Sequence, residues 1–190
     1  MKKIKIMDCI LKDTLVDHYH IKDKLLELIC NDLHLEKIEG FTKRFMVSKT
    51  DYGVLTDKNR PWVNKFLPNY KITVGKMLSS IAYSGYIPTC MWYHQYEKGN
   101  KYGWHFHDTQ YSGVYYLELG KTSGKTEFCS PLDMKSFNID VKEGDLILFP
   151  GHLIHRGMLN GSDRKTVISF NINLDIDQDL NLGTMPSEDG

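Results

Sequence analysis

What this 190-residue chain lacks removes several classes of function. Lys and Arg together number 24, as do Asp and Glu, so the formal net charge is zero and no long basic run occurs. Neither nucleic acid nor a membrane surface is therefore marked as the main partner. Cysteine is sparse: Cys9, Cys30, Cys90 and Cys129 lie far apart without a CxxC pair, which argues against a zinc knuckle and a disulfide scaffold and leaves reduced, buried thiols as the expectation. The opening "MKKIKIMDCILKD" starts basic like a signal peptide, but Asp8, Lys12 and Asp13 break any apolar core within a few residues, which points to a cytoplasmic protein. No internal repeat or low-complexity segment is present. Arginine is rare as well, with four against twenty lysines, so an arginine on a strand face is hard to dismiss as generic surface charge.

With 41% hydrophobic and 12% aromatic residues the chain can bury one sizeable core, and its length predicts a single domain over 1–190. Residues 1–85 read as a mostly helical support region. Leu25, Leu28, Ile29 and Leu33 recur at helical spacing from Ile21, and a second stripe runs through Val74, Met77, Leu78 and Ile81, with Asn69 as N-cap and Gly85 as a stop. Between them "TDYGVLTDKNRPW" reads as a connection that could lie over a site. From 86 to 176 the texture changes to seven or eight short β-branched and aromatic runs, "IPTCMWYHQY" to "RKTVISFNINLDI", separated by turn formers. That pattern predicts a mainly β, α+β architecture: an antiparallel barrel or sandwich with helices over one face. Residues 177–190 read as a loose tail.

Within the β half, "YGWHFH" sets His105 and His107 on one face of a strand and Trp104 and Phe106 on the other, where the aromatics can pack under the helices. A neutral imidazole pair facing a barrel interior needs partners: a metal, or ordinary hydrogen bonds. Further on, Asn160-Gly161 is a strong two-residue hairpin signal. A hairpin closed there puts His155, Gly157, Arg164 and Thr166 on one face. Such a face suits a short dicarboxylate, with one end on a metal held by His155 and the other in the planar fork of Arg164, and Thr166 adding a hydroxyl donor.

The series HxH, "SGVYYL", "GDLILFP", His155, Arg164 and "SFN", spanning about Met91 to Asn173, resembles the non-haem iron, 2-oxoglutarate-dependent oxygenases, particularly their prolyl-hydroxylase-like branch. The resemblance implies a double-stranded β-helix, or jelly roll, with the N-terminal helices packed on its major sheet, and Fe(II), 2-oxoglutarate and O2 as cofactor and co-substrates. It implies His105 and His155 as iron ligands, Arg164 on the distal carboxylate, and Tyr116 assisting that arginine. Tyr96 resembles another pocket tyrosine, and Phe170 shares the Arg164 face by parity. The family's usual HxD or HxE is here HxH, which makes His107 the second ligand and changes the expected triad to three histidines, with Asp108, after a bulge, as the alternative to His107. His152, nearer the loop, is a weaker candidate than His155. The implied activity is hydroxylation of a C–H bond in a protein or peptide side chain, or a small metabolite, with release of succinate and CO2. "GNKYGWHFH" also fits a cupin spacing, so a cupin-type metalloenzyme that does not use 2-oxoglutarate is the closest rival, and a non-catalytic jelly-roll binding module is a third reading.

Overall fold

In the computed structural model, which describes residues 10–32, 46–57 and 59–175, all eight runs of the β half are strands. They are β3 (Tyr86–Tyr96), β4 (Tyr102–His105), β5 (Tyr111–Glu118), β6 (Thr126–Cys129), β7 (Ser136–Asn138), β8 (Asp145–Pro150), β9 (His155–Gly157) and β10 (Lys165–Leu174). Two short strands of the first half join them, β1 (Leu11–Thr14) and β2 (Lys49–Thr50), so that half is not purely helical. The strands form a six-stranded major sheet, β1-β8-β5-β10-β3-β2, and a four-stranded minor sheet, β4-β9-β6-β7, with antiparallel pairing throughout. This is a jelly roll.

Alternation along the major-sheet strands decides which side chains face the helices and which face the interior of the roll. On β10 the helix side takes Ile168, Phe170, Ile172 and Leu174, which join Met91, Tyr93, Tyr115, Leu117, Leu146 and Leu148 in one apolar cluster. Against it pack α1 (His18–Cys30), through Ile21, Leu25 and Ile29, and α2 (Pro61–Ser79), through Trp62, Phe66, Tyr70, Val74 and Met77. Each such burial contributes about 1.5–3 kcal/mol, and these contacts rather than helix propensity hold the helices in place. The second cluster, between the sheets, contains Tyr96, Val114, Tyr116, Phe128, Phe149 and Val167.

Several expectations change. The second helix starts at Pro61, not Asn69: proline suits the first helical position, where no backbone donor is needed. Asn69 instead donates from Nδ2 to the Val16 carbonyl. Nor is Gly85 its stop, since the helix ends at Ser79. Trp104 and Phe106 do not pack under the helices, because β4 belongs to the minor sheet and the helices cover the major one; both rings are exposed, with the Arg156 guanidinium 4.4 Å from the Trp104 ring centre.

Asn160-Gly161 closes no hairpin. β9 pairs with β4 and β6, whereas β10 pairs with β3 and β5, so residues 158–164 cross from one sheet to the other. Asn160 is buried in this crossover, its Nδ2 donating to the carbonyls of Asp163 and Tyr96 and its Oδ1 accepting from Gly124 N. Of the cysteines, Cys30 is exposed and Cys90 and Cys129 half-buried, all as free thiols. No described helix is long and apolar enough to cross a membrane. Cys9, Leu33 and the expected tail at 177–190 lie outside the described residues.

Candidate metal centre

The last residue of β4 and the first of β9 are direct register partners, and they are His105 and His155. Their ring centres lie 4.2 Å apart. His107, two residues past the end of β4 and fixed by its backbone N–H to Gly151 O at 2.8 Å, brings its ring to 5.1 Å from His105 and 5.2 Å from His155. One nitrogen from each imidazole falls within 4.8 Å of the others. The three histidines are placed for metal binding.

Their protonation suits it. His105 Nδ1 meets Gly103 O and His155 Nδ1 meets Leu153 O, each at 2.8 Å. A carbonyl can only accept, so both Nδ1 atoms carry the proton and both Nε2 atoms keep a lone pair for a cation. Burial is the main force on all three pKa values, opposing the charged form: His155 falls to about 3, His107 to about 4, and His105 is lowered too. The cluster thus presents three neutral imidazoles at ordinary pH, a set that suits a divalent transition metal. Asp108 is exposed and lies outside this cluster, on an open cleft with Phe106, Thr109, His152 and Asn173 that also borders His107.

The other expected residues divide by face. Arg164 lies half-exposed on the helix side, its Nε and Nη2 donating to the two Glu118 carboxylate oxygens at 2.9 and 3.1 Å. Thr166 is fully buried on that same side, donating to Glu118 Oε2 at 2.8 Å and accepting from Gln95 Nε2 at 3.2 Å. Neither lines the histidine cavity. Tyr116 is an inner-face residue, buried, whose hydroxyl donates to Thr126 Oγ1 at 2.7 Å; Thr126 itself lines the cavity. Phe170 packs on Tyr70 of α2, ring centres 4.8 Å apart, and also closes one end of the cavity.

The residue that the sequence reading passed over is Lys165. It is paired with Tyr96 across β10 and β3, on the inner face, and only 3% of it is exposed. Its amine sits 3.7 Å from the Tyr96 ring centre and donates to Gly124 O at 2.7 Å. Burial pulls its pKa down to about 7. Opposite, on β9, Gly157 keeps the space beside Tyr96 open: a Cβ there would meet the Tyr96 hydroxyl at 3.3 Å. The signal for Lys165 was present in the sequence. Ile168, Phe170, Ile172 and Leu174 form a period-2 apolar set, which puts the odd-numbered residues, Lys165 among them, on the opposite face.

No protein-family model and no curated protein matches the chain. Solved structures do. An oxidoreductase of the 2OG-Fe(II) oxygenase family from Burkholderia pseudomallei is 15% identical with a TM-score of 0.51, over 60% of this chain and 59% of that one, so this chain spans under two thirds of that protein. The viral collagen prolyl hydroxylase of Paramecium bursaria chlorella virus-1, in a 2OG complex, is 16% identical over 86% of this chain and 94% of its own, with a TM-score of 0.57. A prolyl hydroxylase from Trichoplax adhaerens, in complex with a hypoxia inducible factor oxygen degradation domain peptide fragment, is 13% identical over 87% and 83%, with a TM-score of 0.57. At these identities the likeness is one of fold: the chain has the jelly-roll architecture of 2OG-Fe(II) oxygenases and prolyl hydroxylases.

Proposed function

We propose that the protein is a non-haem Fe(II)- and 2-oxoglutarate-dependent oxygenase that hydroxylates a C–H bond of a peptide side chain or a small molecule. One observation carries the reading: three neutral imidazoles and a buried amine line the same cavity of a jelly roll. The donor set fits the group. His105, His107 and His155 would hold divalent iron from one side, and Lys165, as an ammonium, would hold the distal carboxylate of 2-oxoglutarate as a point charge in a site with little competing water. When bound, iron with 2-oxoglutarate and O2 supplies the oxidation, yielding succinate, CO2 and one oxygen atom on the substrate.

The chain's own residues orient and exclude. The Gly103 and Leu153 carbonyls lock two ligand tautomers, so no proton must leave those Nε2 atoms before metal binds. Tyr96 and Val167 wall the co-substrate end against water, and the Tyr116–Thr126 hydrogen bond fixes a hydroxyl beside it. The exposed cleft of Phe106, Asp108, His152 and Asn173 adjoins His107 and is the route for the primary substrate. A peptide is the first choice of substrate class, in line with the prolyl hydroxylases that share the fold, one of which was solved with a peptide.

A specific observation favours a second reading. The three-histidine set contains no carboxylate, which suits a cupin-type metalloenzyme that does not use 2-oxoglutarate. Anaerobic titration of the Fe(II)-loaded protein with 2-oxoglutarate separates the two. The oxygenase reading expects a weak visible charge-transfer band that fades in Lys165→Ala and persists in Arg164→Ala. Iron binding without a band hands the site to the cupin reading.

A further inference from the structure

The even-numbered residues at the end of β3, Trp92, His94 and Tyr96, all face the cavity. Trp92 Nε1 donates to His94 Nε2 at 3.0 Å. An indole N–H can only donate, so His94 Nε2 must offer its lone pair, and the single ring proton is carried on Nδ1. That Nδ1–H is buried and has no acceptor among the described residues. Unmatched buried donors are rare because each keeps its full desolvation cost, so such an atom on a cavity wall points to an acceptor that arrives with a ligand.

The surroundings hold the ring in that state and narrow the ligand. Tyr52 lies nearly parallel to His94, at 13° and 6.5 Å, and Tyr102 approaches to 5.3 Å, fixing the ring plane. Burial keeps the ring neutral, with a pKa of about 3. Along β10 the direct partner of His94 is Val167, two residues from Lys165, so His94 stands one pleat away from the buried amine. Among the described residues, the cavity wall shared by His94, Lys165 and the three histidines carries no carboxylate. Beside the Lys165 amine, the unmatched His94 donor fits a ligand that accepts.

Resting on the oxygenase reading, we propose that His94 is a further co-substrate-binding residue, its Nδ1–H donating to a carboxylate oxygen of the 2-oxoglutarate held by Lys165. A donor aimed at a charged acceptor in a dry site changes affinity by about 10- to 100-fold.

Anaerobic calorimetry of 2-oxoglutarate binding to the Fe(II)-loaded protein tests this, with Fe(II) affinity measured separately. His94→Phe keeps the bulk and loses the donor; it is expected to weaken 2-oxoglutarate about 10- to 100-fold and leave Fe(II) affinity within about threefold. His94→Asn, which sets an amide N–H near the Nδ1 position, recovers part of the loss. A His94→Phe protein that binds 2-oxoglutarate like wild type overturns the assignment, as does one whose Fe(II) affinity falls in step. Imidazole nitrogen NMR on the Zn(II)-loaded wild type does not depend on any variant folding. The Nδ1–H form that shifts on saturation with 2-oxoglutarate supports the proposal; an Nε2–H form, or no shift, overturns it. If the wild type itself binds no 2-oxoglutarate, the oxygenase reading falls and the role of His94 with it.

Discussion

If Lys165 receives a carboxylate, binding of 2-oxoglutarate must be coupled to a proton, and the size of that coupling follows from its burial. A lysine amine ordinarily titrates near 10.4, but here burial brings it to about 7. In the free protein the amine is therefore about 90% neutral at pH 8 and about 10% neutral at pH 6. A bound carboxylate requires the ammonium and lifts the pKa, so binding takes up about 0.9 proton at pH 8 and about 0.1 at pH 6. Affinity then falls as pH rises, approaching a factor of about ten per unit above pH 7, equivalent to about 1.4 kcal/mol. The imidazoles add little over this range, since their pKa values lie below the ordinary 6.5. The same depression fixes the sign for stability: the folded pKa lies below the unfolded one, so the free protein gains stability from this group as pH rises from about 7 to about 10. Calorimetry at pH 8 in buffers of differing ionisation enthalpy reads the proton uptake directly, with Lys165→Met as control. An enthalpy independent of buffer, an affinity flat between pH 6.5 and 8.5, or a Lys165→Met protein that binds like wild type refutes the argument.

Replacing His155 with Ala should cut Fe(II) affinity by more than about 100-fold, exceeding the 10- to 100-fold typical of losing a group that only orients a ligand; a competition titration with a coloured chelator measures it. His107 and His155 have pKa values of about 4 and 3, so protons displace the metal only as pH falls toward 4, while the apo protein loses stability as pH falls below 6.5, where unfolded histidines protonate and these do not; metal content and thermal midpoint against pH check both. Arg164→Ala breaks a half-exposed ion pair and should cost no more than about 1 kcal/mol in urea unfolding, with 2-oxoglutarate affinity unchanged. Asp51→Ala strands the buried Arg60 guanidinium and removes the acceptor of Trp62 Nε1 and Tyr93 N, costing about 3–5 kcal/mol by the same assay. The turn held there carries Tyr52, so that variant should also disturb the Trp92 indole fluorescence.

Under the proposed function, the charge of the site would tie metal and co-substrate together more closely than a carboxylate-containing triad does. Three neutral imidazoles would leave both charges of a divalent ion uncompensated, and among the described residues the cavity wall offers no acid. Under the proposed function, the dicarboxylate brings two negative charges to face the three positive ones of the ion and the Lys165 ammonium. Each ligand therefore favours the other, and linkage makes the two effects equal.

The histidine cluster was legible because its logic is local. His105 and His107 are two residues apart, and period-2 alternation within one short segment put them on one side; their pairing with His155 follows from β4 lying against β9. The exposed positions of Trp104 and Phe106 were not legible, since alternation separates two faces without saying which one a helix covers. The face that Arg164 takes was not legible for a related reason. Parity passes from His155 through Asn160-Gly161 only where the flanking strands pair with each other, whereas this segment spans two sheets, and a crossover does not preserve a face. Within β10 the alternation of Ile168, Phe170, Ile172 and Leu174 holds without any assumption about the turn, and it selects Lys165 in place of its neighbour. Side-chain direction is therefore best argued from the strand that carries the residue, because the pleat is a property of that strand and the turn before it is a property of the topology.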